Sequence, residues 1–154
     1  MTEPIIKTID VPCSAQRAFD TFVHRISDWW PLDGHAVSAA TGKAALGVTI
    51  EPRVGGRVYE TMHDGQQTDW GKVLTYAEGE AFSMTWHPGN NADNATHVAV
   101  RFEALDHSRT RVTLTHSGWE IWATEADAKR DSYNSGWDFV LGQRYAGACT
   151  QAPA

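Results

Sequence analysis

The stretch TRVTLTHSGWEIW, residues 110–122, sets a histidine in an apolar pattern. Successive side chains of an extended strand point to opposite faces, so Val112 and Leu114 carry His116 onto their own inward face, beside Trp119 and Trp122. Three roles suit an imidazole there: a buried structural hydrogen bonder, a cavity group that grips the polar part of a ligand, or a general acid/base. Glu60, in EPRVGGRVYE, is the second polar residue predicted on the inner face. A buried carboxylate needs a partner or a proton, because burial alone raises its pKa and costs several kcal/mol. Paired with His116 it would supply an acid and a base; a one-residue shift of register would put it in solvent instead. Phe82, Met84 and Trp86 alternate on one face of FSMTW, Trp70 opens the preceding strand, and Trp137 lies on the last helix. Such aromatics either pack a core or wall an apolar pocket that contains a few placed polar groups. The candidate ligand-binding residues are therefore Glu60, Trp70, Met84, Trp86, His116, Trp119 and Trp137, with His116 and Glu60 the catalytic candidates. Trp29-Trp30 reads as a packing plug at one end.

Other chemistries find little support. The histidines at 24, 35, 63, 87, 97, 107 and 116 show no HxH, HxxxH or HExxH spacing and have no cysteine companion, so no metal site is implied. No GxSxG elbow, phosphate loop or GxGxxG fingerprint occurs, and no common cofactor is indicated. A net charge of -6 without a long Lys/Arg run excludes a phosphate-backbone binder, and nucleic acid is not an expected partner. MTEPIIKTID lacks a basic segment followed by an apolar one, and no run of about 18 apolar residues occurs, which predicts a soluble cytoplasmic protein without membrane insertion. Cys13 and Cys149 read as free thiols.

The elements that must position these residues follow from periodicity. With 154 residues the chain is the length of one domain, 1–154, enough to bury roughly 70% of its unfolded surface. Residues 3–11 read as a strand. Ala15, Ala18, Phe19, Phe22, Val23 and Ile26 then keep helical spacing behind Ser14 as N-cap. Pro31 ends that region, and residues 32–46, rich in Gly and Ala, read as a loop. From 47 to 117 a period near two, punctuated by Gly55-Gly56, Asp64-Gly65, Glu78-Gly79, Pro88-Gly89 and 106–108, predicts an antiparallel meander of about six strands. In its first hairpin, a three-residue loop including Arg57 would pair Val54 with Val58 and Ile50 with Met62, carrying Glu60 onto the apolar face. The final helix, capped at TEAD, gathers Tyr133, Trp137, Val140, Leu141 and Ala148 on one stripe, with a break expected near 134–136 where Gly136 weakens it. The fold class is α+β, a sheet whose apolar face is covered by the last helix.

In this order and spacing, IDVPCSAQRAFDTF, the WW pair, EPRVGGRVYE, DWGKVL, FSMTW, TRVTLTHSGW and GWDFVL resemble the helix-grip superfamily of START-like (SRPBCC) domains. Within it the chain is similar to the branch of the activator of the heat-shock chaperone ATPase. The turn before the EAFSMTW strand departs from the usual pattern, reading YAEGE where proline is common. The resemblance implies a curved antiparallel sheet wrapped around a long C-terminal helix, with an internal cavity used across the superfamily for lipids, hormones and polyketides. It implies no single activity. The leading expectation is binding of a small apolar or aromatic molecule. The alternatives are a cyclase or dehydratase-type enzyme using the same pocket, and a chaperone-associated module acting through its outer surface.

Overall fold

Strict alternation in the long late strands sets the architecture. In the computed structural model, which describes residues 3–150, β6 (Thr96–Asp106) and β7 (Arg109–Ser117) turn Val98, Val100, Phe102, Val112 and Leu114 into the core, all of them buried. With β1 (Ile5–Val11), β2 (Gly47–Ile50), β3 (Arg57–Thr61), β4 (Gln67–Ala77) and β5 (Ala81–Trp86) they form one antiparallel sheet in the order β1-β7-β6-β5-β4-β3-β2. The meander predicted between 47 and 117 is present as β2 to β7. The helix-grip expectation holds: the sheet curves around a C-terminal helix made of α3 (Ala126–Phe139), a wider π-type segment (Val140–Tyr145) and α4 (Ala146–Cys149). Helix α1 (Ala15–Val23) is capped as its sequence predicts, Ser14 Oγ accepting from the Arg17 N–H at 3.2 Å, and α2 (Ile26–Trp29) follows. No helix among the described residues is long and apolar enough to cross a membrane.

Four local expectations change. Ile50 pairs with Val58 and Val48 with Glu60, so the first hairpin loop is longer than three residues and leaves Val54 exposed. The loop closes on Glu51 instead, whose carboxylate accepts from the Arg57 N–H at 2.7 Å. Because a shift of four in pairing preserves the face, Glu60 still points inward. Thr124 does not cap α3: a 3-10 run over Trp119–Glu125 feeds straight into it, kinked at Ala123 (φ 49°), and the Ala126 N–H bonds the Ala123 carbonyl. The helix does not break at 134–136. Buried Trp137, Leu141, Tyr145 and Cys149 recur every four residues, a repeat that drifts about 40° per step on a straight α-helix, and the wider turn at 140–145 absorbs that drift. Finally, residues 32–46 are not all irregular, since Val37–Thr41 form a 3-10 turn.

The interior holds two aromatic groups. Phe19, Phe22, Phe82, Phe102, Trp29 and Tyr145 pack edge to face beneath α1, with centroids 5.1–6.3 Å apart for the pairs Phe22–Trp29, Phe22–Tyr145, Phe19–Phe102 and Phe19–Phe82. Trp30, Trp70, Trp86 and Trp137 form the second group, 5.2–6.0 Å apart in their contacting pairs. The adjacent Trp29 and Trp30 join the two at 5.8 Å.

Candidate functional site

Above the four-tryptophan group lies a cleft of about 610 Å³ with three walls. One is the 31–46 segment, contributing His35, Ala36, Val37 and Ala40 beside Trp30; the second is the β5–β6 connection, with Trp86, Pro88 and Gly89; the third is α3, with Ser132, Tyr133, Gly136 and Trp137. Small residues keep it open. At Gly136 a Cβ would meet only His35 Nε2, at 4.0 Å, and His35 itself stacks on Phe139 at 5.6 Å.

Glu60 holds the first wall. Fully buried, it accepts from the backbone N–H groups of Val37 (2.6 Å) and Ser38 (2.9 Å) and from Trp70 Nε1 (3.1 Å). The N–H groups that open a helical turn have no partner within it, so an inward carboxylate on β3 pins that turn against the sheet. Ser38 Oγ in turn accepts from the His63 N–H at 3.0 Å, and the Trp30 indole donates to the His35 carbonyl at 2.8 Å. The wall is thereby tied at both ends to the tryptophans under it.

His116 is reached from the other side. Register sets Val98 opposite His116 and Trp86 opposite Thr96, which brings Thr96 diagonally next to the imidazole on the inner face. Trp137 Nε1 donates to His116 Nδ1 at 3.0 Å. Since that nitrogen accepts, the ring proton sits on Nε2 and points to Thr96 Oγ1, 2.6 Å away, whose own hydrogen goes to the Trp86 carbonyl at 3.2 Å. Burial, aided by the charge of His97, pulls the imidazole pKa down to about 3. With a neutral ring and both nitrogens engaged, His116 has no free lone pair to offer a substrate.

The predicted residues therefore divide. Trp86 and Trp137 line the cleft, whereas Glu60, Trp70, Met84, His116 and Trp119 are buried and are not among its described lining. Glu60 and His116 share no hydrogen-bond partner, and the Trp70–Trp86–Trp137 stack lies between their networks. Trp30, read from sequence with Trp29 as a packing plug, borders the cleft instead, and His35 and Tyr133 line it without having been put forward as site residues. The signal was the run of small residues 34–45, which leaves room beside large ones.

One group beneath the cleft wall lacks a partner. The Trp86 indole N–H is buried without a hydrogen-bond partner among the described residues, a state that costs about 1–3 kcal/mol. The Tyr133 hydroxyl lies beside it, and the indole N–H draws the phenol pKa back against the larger rise that burial imposes. Burial prevails, and Tyr133 remains a protonated donor at neutral pH.

Outside the cleft, Asp20, His24 and Glu78 bring one ligand atom each within 4.8 Å of one another, a convergence hidden from local histidine spacing. Their oxygens are already bonded within the protein, Gln16 donating to both carboxylates and Tyr76 to Glu78.

The family described as Activator of Hsp90 ATPase homolog 1-like protein matches residues 13–143. Among solved structures, the anthrahydroquino-gamma-pyrone synthase Txn09, solved as a complex, is 26% identical with a TM-score of 0.64, over 96% of this chain and 97% of that one. CalC from Micromonospora echinospora, a self-sacrificing resistance protein, is 23% identical (TM-score 0.66; 95% and 93% covered). MLL2253 from Mesorhizobium loti is 13% identical but superposes at 0.71 over 99% and 100%. A comparison with curated proteins finds no match.

Proposed function

We propose, on the premise that the chain belongs to the family of Activator of Hsp90 ATPase homolog 1-like proteins, that it binds one small, largely aromatic molecule in the cleft between residues 31–46 and the C-terminal helix. The observation that carries this reading is the indole wall: Trp30, Trp86 and Trp137 border a space of about 610 Å³ in a protein whose interior is otherwise filled with aromatic contacts. Pockets of roughly 300–1,000 Å³ with apolar walls and a few oriented polar groups accommodate drug-sized molecules. A flat ligand would gain dispersion and ring contacts there without displacing any core side chain.

The test combines two readouts with one blocking variant. A panel of one- to three-ring aromatics is titrated while tryptophan fluorescence and melting temperature are followed. A ligand at 100 times its Kd adds about 2.7 kcal/mol of apparent stability, so both signals should move together. Gly136→Leu projects a side chain into the cleft without a backbone clash and should abolish both. If no member of the panel raises the melting temperature, or if Gly136→Leu binds as well as the parent, the reading fails.

A second reading is turnover of the bound molecule, favoured by the 26% identity to a synthase over nearly the whole chain. The exposed imidazole of His35, on the cleft wall, is then the proton carrier to test, because His116 and Glu60 are committed to internal bonds. Chaperone association, the activity in the family's name, would use the outer surface and would survive Gly136→Leu.

A further inference from the structure

We infer that the cleft selects aromatic molecules bearing a neutral hydroxyl, that is phenols, and that His35 is the residue that recognises the hydroxyl. The inference rests on the ligand-binding reading and narrows it to a chemical class.

His35 is exposed on the cleft wall, and its neighbours fix where the ring stands. Its backbone N–H donates to the Pro31 carbonyl at 2.9 Å, and its carbonyl accepts from the Trp30 indole at 2.8 Å. The imidazole stacks on Phe139 with the ring planes 28° apart. Its nitrogen edge then faces α3, since Nε2 is the atom that a Cβ at Gly136 would meet, 4.0 Å away. Neither ring nitrogen has a hydrogen-bond partner among the described residues. His116, by contrast, has both nitrogens committed, to Trp137 and to Thr96. A ring held by its face and its backbone, with its nitrogen edge over open space, is placed to form a hydrogen bond with a molecule in the cleft.

The chemistry of the walls selects the partner. A neutral imidazole has one donor and one acceptor nitrogen, and a hydroxyl can meet Nε2 in either tautomer, donating to the bare nitrogen or accepting from its proton. A carbonyl or an ether can meet only one of the two. No Lys or Arg is among the described lining residues, so the desolvation of a carboxylate or phenolate would not be offset there, and a neutral hydroxyl suits the space better. Trp30, Trp86 and Trp137 border the same cleft, so the ring that bears the hydroxyl has aromatic neighbours. Gly136, across from Nε2, leaves the room in which the oxygen would lie.

The experiment compares 2-naphthol with 2-methylnaphthalene, which share a bicyclic frame and differ by a hydroxyl against a methyl group of similar size. Binding to the full chain is measured by calorimetric titration at neutral pH, with the imidazole nitrogen resonances of His35 followed in parallel and assigned by their loss in His35→Phe. The expected result is a Kd about tenfold lower for the naphthol, the worth of one net hydrogen bond, and a shift of the His35 Nε2 resonance with 2-naphthol only. His35→Phe keeps a ring against Phe139 and removes both nitrogens, so it should weaken the naphthol until the two Kd values agree within about twofold. If the parent binds both compounds equally, or if His35→Phe retains the tenfold preference, the inference is overturned while ligand binding stands. If neither compound binds, both readings fall. Should His35→Phe not fold, the Nε2 resonance of the parent decides: its movement with 2-naphthol alone supports the inference, and its indifference to the naphthol overturns it.

Discussion

Trp137 and His116 are joined by a hydrogen bond in which the imidazole is the acceptor, Nε1–H of the indole donating to Nδ1 at 3.0 Å. This one bond ties the middle of the C-terminal helix to β7 and fixes the histidine as a neutral tautomer. Helix grip and cleft wall thus depend on the same residue, since Trp137 also borders the cleft.

Stability should therefore depend on pH through His116. Its folded pKa, about 3, lies below the ordinary value of 6.5, so between these values the unfolded chain takes up a proton that the folded chain refuses. The stabilisation is complete above pH 6.5 and is lost as pH falls toward 3, at up to about 1.4 kcal/mol per pH unit. Denaturant melts at pH 7.5 and 4.5 should show a larger loss for the parent than for His116→Gln, whose amide does not titrate. Equal losses would mean that the imidazole is charged or accessible in the folded protein.

Gly71 should tolerate no side chain. A Cβ there would lie 1.8 Å from the Thr85 carbonyl oxygen, because β4 presses on β5 beside the β3–β4 bulge, where pairing steps from Val58–Gly71 to Tyr59–Asp69 and Trp70 is turned inward. Backbone cannot yield as a flexible side chain does, and Gly71→Ala should cost about 3 kcal/mol, read from the denaturation midpoint. By contrast Gly136→Ala has open space and a helical environment, and should stabilise by up to about 1 kcal/mol.

Cys13 and Cys149 are both buried thiols, the first with its pKa raised and the second pushed up to about 12, in each case chiefly by burial. A thiolate is the reactive form, so a disulfide-exchange reagent at pH 8 should find no thiol in the folded protein and two after denaturation. Rapid native labelling would contradict this burial.

How much of this was legible beforehand follows the range of the interactions. Alternation in β6 and β7 is a local property, and it placed Val98, Val112, Leu114 and His116 on the inner face without reference to anything else. What His116 does there depends on Thr96 and Trp137, 20 and 21 residues away, and no local pattern carries that. The two tryptophans of the WW pair look alike in sequence but diverge at the bend after α2, where Trp29 joins the phenylalanine group and Trp30 turns to the cleft. The hairpin register failed because the pattern counted Val54 as a core residue, whereas the Glu51 carboxylate closes the loop and leaves that valine in solvent.

Glu60 offers the sharpest separation of a positioning role from a chemical one. Its carboxylate receives three N–H groups, two of them from the turn that forms a cleft wall. Glu60→Gln keeps the size but brings an amide NH2 against at least one of those donors, and Glu60→Ala leaves all of them without an acceptor. Hydrogen bonds to a charged acceptor are worth about 1.5–3 kcal/mol, and a stranded buried donor costs about as much again. The glutamine variant should therefore lose about 2 kcal/mol of global stability and the alanine variant more. Hydrogen exchange at the Val37 and Ser38 amides should rise well beyond that in the β6–β7 ladder, because the wall opens locally before the sheet does. Ligand affinity should fall with the population of the closed wall, while any turnover should keep its pH profile, since a residue that only positions others contributes no proton of its own. A pH profile that loses a limb in Glu60→Gln, with unchanged exchange at Val37 and Ser38, would instead make Glu60 a participant in proton transfer.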